Sequence, residues 1–168
     1  LYLIGQKFDK TRRSRSVFQP NLPVICVGNF QAGGTGKTPI TQWVASELSS
    51  LGYEPIIILR GYKGRTKVST LVNNQNAQVF GDEAVLHALN HPTIVGKNRI
   101  ESCNLAESLA KTDKPVLILD DGLQYYDLHK DFSMVCQKDA LFEYDTLLPQ
   151  GRLREIPHTN IDAIVSNG

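Results

Sequence analysis

Val24-Ile-Cys-Val-Gly-Asn-Phe-Gln-Ala-Gly-Gly-Thr-Gly-Lys-Thr-Pro39 is the stretch that decides the fold. Val24 to Val27 is a short apolar run and reads as a buried strand. A glycine-dense turn follows, then a helix opens near Thr38, with Pro39 in the first turn, where proline is tolerated. Strand, glycine-rich loop, Lys-Thr and helix is the order a phosphate-binding loop needs. Successive backbone N–H groups converge on phosphate oxygens there, and the positive end of the helix dipole favours the anion. Gly33, Gly34 and Gly36, with Thr35 among them, let the backbone approach a ligand. Lys37 is placed to reach β/γ-phosphates, and the Thr38 hydroxyl to bind Mg2+. The pattern G-x-x-x-x-G-K-[ST] is missed at one position, where Gln31 stands in place of the first glycine. The competing reading is a glycine-rich turn with no ligand. An intact Gly36-Lys37-Thr38 between a strand and a helix weighs against it.

Val116-Leu-Ile-Leu-Asp-Asp121 is the second strong signal. Four apolar residues ending in aspartate form a Walker B-like strand, which puts Asp120 at the sheet edge beside the phosphate loop. There it can hold Mg2+ directly or through water. Asp121 adds a second carboxylate, and Gly122 lets the chain turn away. Two adjacent acids after a buried strand are costly without a cation.

The rest of the chain fills in around these two strands. Ile40, Trp43, Val44, Ala45 and Leu48 predict one apolar face on a helix from Thr38 to Leu51. Pro55 to Leu59 is a continuous apolar run, as in a parallel strand covered on both faces. The basic turn Arg60-Gly-Tyr-Lys-Gly64 follows it, where an anion contact is weakly signalled. Residues 65–79 are polar and read as a loop or weak hairpin. Gly81-Asp-Glu83 opens a helix whose two acids are most simply dipole compensation, and His87 and His91 read as surface or packing residues. Thr93 to Val95 is a short strand, and Ile100 to Ala110 a helix with Leu105, Ala106 and Leu109 inward. Phe132 to Cys136 and Ile161 to Val165 are further strands, with the loop Leu147 to Glu155 and its arginines, Arg152 and Arg154, between them. Alternating strands and helices argue for an α/β, P-loop NTPase-like fold: a mostly parallel sheet with helices on both faces.

Composition bounds the function classes. The 168 residues suffice for one domain with a real core, and a net charge of +1 gives no global nucleic-acid signature. Cys26, Cys103 and Cys136 have no metal-ligand spacing, and Cys26 and Cys136 read as reduced core residues. No apolar run approaches the ~18 residues a bilayer span needs. Residues 1–22 differ from the domain at 23–168: Lys7, Lys10, Arg12, Arg13 and Arg15 surround a single acid, Asp9, with Tyr2, Phe8 and Phe18 interleaved. Such a segment suits an anionic membrane surface or a solvated basic helix equally well.

Several motifs together resemble the tetraacyldisaccharide 4′-kinase family, the lipid A kinases of Gram-negative bacteria. They are Val27 to Pro39, Arg60-Gly-Tyr62, Gly81-Asp-Glu83, Val95-Gly-Lys-Asn-Arg99, Asp120-Asp-Gly-Leu-Gln124, Leu147-Leu-Pro149, Leu153-Arg-Glu155 and Asn167-Gly168, in the family's order. That family's phosphate loop also lacks the first glycine. The resemblance implies an enzyme moving the ATP γ-phosphoryl group to the 4′-hydroxyl of a tetraacyldisaccharide 1-phosphate, with Mg2+, to give lipid IVA. It would work peripherally at the cytoplasmic face of the inner membrane. By the same resemblance Asp82 matches the catalytic aspartate, Asp120 and Asp121 the metal-associated pair, and Arg154 the arginine near the transferring phosphate. The family's N-terminal membrane helix would correspond to the region up to and including residues 1–18, which favours the membrane reading of the basic segment.

Two departures stand out. Tyr125 replaces the family's histidine after Gln124. Family members also run to about twice this length, with a second domain that carries a histidine for the catalytic aspartate, so the expectation is either a fragment of such a kinase or a truncated protein that binds nucleotide but transfers poorly. The rival expectations are therefore a truncated, non-catalytic ATP-binding module or a P-loop kinase of another substrate class. A GTPase would want an Asn-Lys-x-Asp motif, and Thr112-Asp-Lys-Pro115 only echoes it.

Overall fold

The apolar runs become strands because they are too short for core helices and sit between turn residues. The computed structural model describes residues 17–31, 34–138, 148, 151–154 and 160–167. The basic residues Lys7 to Arg15, together with Gly33, Leu147, Pro149, Glu155 and Gly168, lie outside them. The strands are β1 (Val24–Gly28), β2 (Glu54–Leu59), β3 (Thr70–Leu71), β4 (Thr93–Val95), β5 (Pro115–Asp120), β6 (Phe132–Lys138) and β7 (Ala163–Asn167). The helices are α1 (Lys37–Ser50), α2 (Ala77–Phe80), α3 (Asp82–Ala88) and α4 (Arg99–Leu109).

The strands form one sheet in the order β3-β4-β2-β5-β1-β6-β7. Every pairing is parallel except that of β3 with β4. Parallel neighbours need crossovers, and from β1 through β5 the helices α1 to α4 lie on them. Side chains alternate across the pleat accordingly. Val24, Cys26, Ile56, Ile58, Leu117 and Leu119 pack with Cys103 and Ala106 of α4. Val27, Ile57, Leu59 and Ile118 pack on the other face with Val44 and Ala45 of α1, Phe80 of α2 and Ala84 of α3. Burying one such side chain stabilises the fold by roughly 1.5–3 kcal/mol, so this double-sided core fixes the strand order. Burial pushes the Cys26 thiol up to about 12 and the Cys136 thiol up to about 11, which keeps both unreactive.

The structure departs from the sequence reading at three places. Trp43 does not share the inward face of α1; it is 56% exposed, and Thr41 is buried instead beside Val44 and Ala45. Leu109 is likewise exposed at the end of α4, while Cys103 and Ala106 carry the contact with the sheet. Residues 65–79 hold the two-residue edge strand β3 and the first part of α2, whose cap is the Asn76 side chain accepting from the Gln78 N–H. Of the two readings open for His87, surface or packing, the structure takes the second, since the residue is fully buried.

Glu54, at the start of β2, ties the chain after α4 to the sheet. Its carboxylate accepts from the N–H groups of Lys111 and Thr112 and from the Thr112 hydroxyl. Burial alone would raise its pKa, but these hydrogen bonds more than offset it and hold the group below its ordinary 4.5. A folded-state pKa below the unfolded one gives stability that is present above about pH 4.5 and lost as pH falls through the depressed value. Glu54→Gln is therefore expected to cost roughly 1 kcal/mol or less at neutral pH and little once Glu54 of the wild type is itself protonated. Urea midpoints taken across that range check it.

Candidate active site at the ends of β1 and β5

β1 and β5 lie side by side, with Val27 opposite Asp120 in the register, so both chains leave the sheet at one edge. Ligands of open parallel sheets bind at this edge, beyond the strands' C-terminal ends. From β1 the chain enters the loop. Asn29 is fully buried and its Nδ2 donates to the Thr35 hydroxyl at 2.7 Å, bracing the two ends of the turn. Gly36 turns into α1 with a φ of 81°, a conformation that suits glycine. Lys37 and Thr38 then occupy the first turn of the helix. Gly34, Thr35 and Gly36 thus stand where the sequence reading put them.

Gln31, at the missing glycine position, has a structural role. It forms an antiparallel bridge with Leu153, and the Arg154 N–H donates to the Phe30 carbonyl at 2.6 Å. This backbone pairing docks residues 151–154 against the loop and delivers Arg154 to Asp121. Arg154 Nη1 donates to both Asp121 oxygens, at 3.0 and 2.8 Å, and Lys37 Nζ lies 3.6 Å from Oδ1. Asp121 itself has a φ of 57°, and its N–H donates to the Val27 carbonyl at 2.9 Å. A non-glycine residue held there is a mark of functional sites, where strain of order 1–3 kcal/mol is tolerated. Lys37, Asp121 and Arg154, three residues singled out from sequence, therefore form one charged cluster.

Asp120 sits deeper, 3% exposed, and is paired differently. His87 Nε2 lies 2.9 Å from its Oδ2, while Oδ1 is buried without a hydrogen-bond partner among the described residues. His87 escaped the sequence reading because its partner is 33 residues away; the only local hint was its place one turn after Glu83 on a short helix.

Asp82 and Glu83 open α3 after Gly81, whose φ is 90°. A Cβ at Gly81 would come within 2.5 Å of the Tyr62 carbonyl oxygen, so glycine is required where the Arg60-Gly-Tyr62 turn packs against the helix start. Both acids are exposed. Glu83, read from sequence as dipole compensation, is drawn into the cluster electrostatically. Its carboxyl is raised by partial desolvation and by Asp120 and Asp121, with Lys37 and His87 opposing. Among the described residues no side-chain hydrogen bond ties Asp82 to the cluster, and the structure places it as the first residue of α3, beside Glu83.

Arg99 is a further residue that the sequence reading left without a role. It begins α4 after the Asn98 cap, is 2% exposed, and donates to the Gly96 carbonyl. Its guanidinium lies 4.6 Å from the centre of the Tyr125 ring, a cation–π contact. Burial pushes Arg99 down from its ordinary value, Tyr125 and Asp121 oppose this, and Arg60 adds to it. Arg60 thus contributes positive charge at this edge, consistent with the anion signal read in its turn.

A cleft of about 350 Å3 elsewhere, lined by Glu54, Ile56, Leu71, Leu89, His91 and Leu109 among others, holds none of these residues. It lies toward the strands' N-terminal ends, away from the phosphate loop. Among the described residues no helix is long and apolar enough to cross a membrane.

A parallel sheet with a glycine-rich loop after β1, a Lys-Thr helix start and an Asp-Asp pair after the neighbouring strand defines a P-loop NTPase-like α/β domain. Comparison with known proteins narrows the class. A model of the tetraacyldisaccharide-1-P 4′-kinase family matches residues 3–168, and the chain belongs to that family. It is 35% identical over 161 residues to a tetraacyldisaccharide 4′-kinase of Haemophilus influenzae, covering 92% of this chain and 48% of the relative. It is 39% identical over 162 residues to that of Aeromonas hydrophila, with the same coverage. A crystal structure described as the "apo" form of LpxK from Aquifex aeolicus in complex with ATP matches with a TM-score of 0.83. Identity there is 31%, over 98% of this chain and 55% of that one. The chain spans about half the length of the curated relatives it matches.

Proposed function

We propose that the protein is the ATP-dependent 4′-kinase of its family, phosphorylating the 4′-hydroxyl of tetraacyldisaccharide 1-phosphate to give lipid IVA. The observation that carries the reading is the convergence of the phosphate loop, Lys37, the Asp120-Asp121 pair and Arg154 on one sheet edge. The loop from Gly33 to Gly36 would bind the nucleotide phosphates through backbone N–H groups, and Lys37 the β/γ-phosphates. Thr38 and Asp120 would hold Mg2+; the buried, unpartnered Asp120 Oδ1 is the acceptor such an ion needs. The ion would supply charge neutralisation on the phosphates. Arg154 and Asp121, already paired, would position positive charge beside the γ-phosphoryl group. Asp82 would accept the proton of the 4′-hydroxyl as its oxygen bonds to the γ-phosphorus and the bond to the β-phosphate oxygen breaks, releasing ADP.

The test is transfer of label from γ-labelled ATP to the disaccharide lipid by the full protein. Label at the 4′ position supports the reading. Tight ATP binding with no lipid-dependent transfer would make this chain a nucleotide-binding module instead, and transfer only to other acceptors would make it a kinase of another substrate class.

The same reading places residues 1–22 against an anionic inner-membrane surface, with the kinase domain at 23–168 working from the cytoplasmic side. It is supported by the cluster of Lys7, Lys10, Arg12, Arg13 and Arg15. Each basic residue near such a surface contributes ~1 kcal/mol, screened within a Debye length. Sedimentation with anionic vesicles is expected at low salt, fading as salt rises and absent from a form lacking residues 1–18. Equal binding to neutral vesicles would remove the electrostatic part.

A further inference from the structure

Asp120 ends β5 almost without exposure, and a carboxylate buried that deeply needs a partner. The cations Lys37 and Arg154 both engage its neighbour Asp121. The partner of Asp120 is His87, fully buried on α3, whose Nε2 lies 2.9 Å from Oδ2. A carboxylate oxygen only accepts, so Nε2 carries the proton and donates. Among the described residues the other ring nitrogen, Nδ1, is buried with no hydrogen-bond partner, as is the other carboxylate oxygen, Oδ1. The pair is therefore joined at one point, with one orphaned polar atom on either side. A histidine present only to fill the core would gain nothing from leaving Nδ1 unpaired; a leucine would fill the space without that cost. The orphaned Nδ1 is offset only if the contact at Nε2 matters.

On the strength of the nucleotide-site reading above, we infer that His87 is a positioning residue for Asp120. It fixes the carboxylate through Oδ2 and leaves Oδ1 as the oxygen offered to the divalent cation that accompanies the nucleotide. A free carboxylate can rotate and present either oxygen, or take up the cation and a water in several arrangements. One fixed donor removes that freedom, as hydrogen-bonded outer partners do for metal ligands generally. The placement on α3 adds a consequence. Glu83, which interacts electrostatically with Asp120 and His87, lies one turn before the histidine, so α3 links the acids at its start to the end of β5. His91, one turn beyond, interacts with His87 as well.

The experiment measures Mn2+ affinity of the full protein with a non-hydrolysable ATP analogue, by electron paramagnetic resonance, for wild type, His87→Leu and His87→Gln. Nucleotide affinity without any divalent cation is measured beside it, and thermal unfolding confirms the fold. His87→Leu is expected to weaken Mn2+ binding about 10–100-fold, the usual cost of losing an outer-shell partner. His87→Gln, whose side-chain amide can donate to the same oxygen, is expected to recover most of it. Cation-free nucleotide affinity stays the same in all three. Unchanged Mn2+ affinity in a folded His87→Leu, or an equal loss in both variants, overturns the inference and leaves His87 as packing. Should the leucine variant not fold, His87→Asn, too short to reach Oδ2, takes its place with the same two outcomes. Wild-type protein that binds the nucleotide analogue neither with nor without cation overturns the nucleotide-site reading itself, and this inference with it.

Discussion

Replacing Asp82 by asparagine is expected to lower phosphoryl transfer by about 10²–10⁴-fold while ATP affinity barely changes, the usual worth of a general base. Asparagine keeps the shape of the side chain and its capacity to accept a hydrogen bond from the sugar hydroxyl, but it cannot take the proton. The alternative role is a modest one. Asp82 is the first residue of α3, exposed, where a carboxylate interacts favourably with the helix dipole. Losing that interaction costs roughly 1 kcal/mol or less of stability and leaves transfer nearly intact. The two roles therefore differ by orders of magnitude in one observable and agree in the other. Because curated relatives are about twice as long as this chain, the assay belongs in the full protein, with nucleotide binding measured on the same preparation. Near-normal transfer by Asp82→Asn would return the residue to its dipole role and move attention to Glu83, the neighbouring acid that interacts with the cluster.

Lys37→Ala is expected to weaken ATP binding roughly 10–150-fold, corresponding to the loss of a charge-assisted hydrogen bond worth about 1.5–3 kcal/mol. Lys37 is three-quarters or more withdrawn from solvent, its side chain 14% exposed, so its charge is incompletely screened and the contact falls toward the stronger end. The substitution also leaves Asp121 paired with Arg154 alone, which keeps the carboxylate satisfied and the local fold intact. Thermal unfolding should therefore shift little while calorimetric affinity falls. A variant that binds ATP as wild type does would mean that the lysine serves Asp121 and not the phosphates.

The parts of this site that were legible in the sequence are the parts built from neighbours in the chain. Val24 to Lys37 encodes strand, turn and helix start within one short stretch, and Val116 to Asp121 encodes a buried strand with its acids; both emerged in place. What escaped depends on partners far along the chain. Residues 151–154 dock on the loop through main-chain pairing of Gln31 with Leu153, and main-chain pairing carries no side-chain signature. His87 reads as a lone histidine until β5 is laid beside α3. The Arg99–Tyr125 contact likewise joins a helix start to the turn after β5. Helical spacing puts Trp43 in line with Ile40, Val44 and Leu48, yet Thr41, Val44 and Ala45 already fill the buried face of α1. The edge strand β3 is two residues long in a polar stretch, too short to show any period.

The measurement that bears most directly on the account is a calorimetric titration of ATP into the folded protein, with and without Mg2+. The sheet edge holding Lys37, Thr38, Asp120 and Asp121 predicts one nucleotide bound per chain, more tightly when Mg2+ is present. A folded sample that binds no ATP with Mg2+ supplied would contradict it.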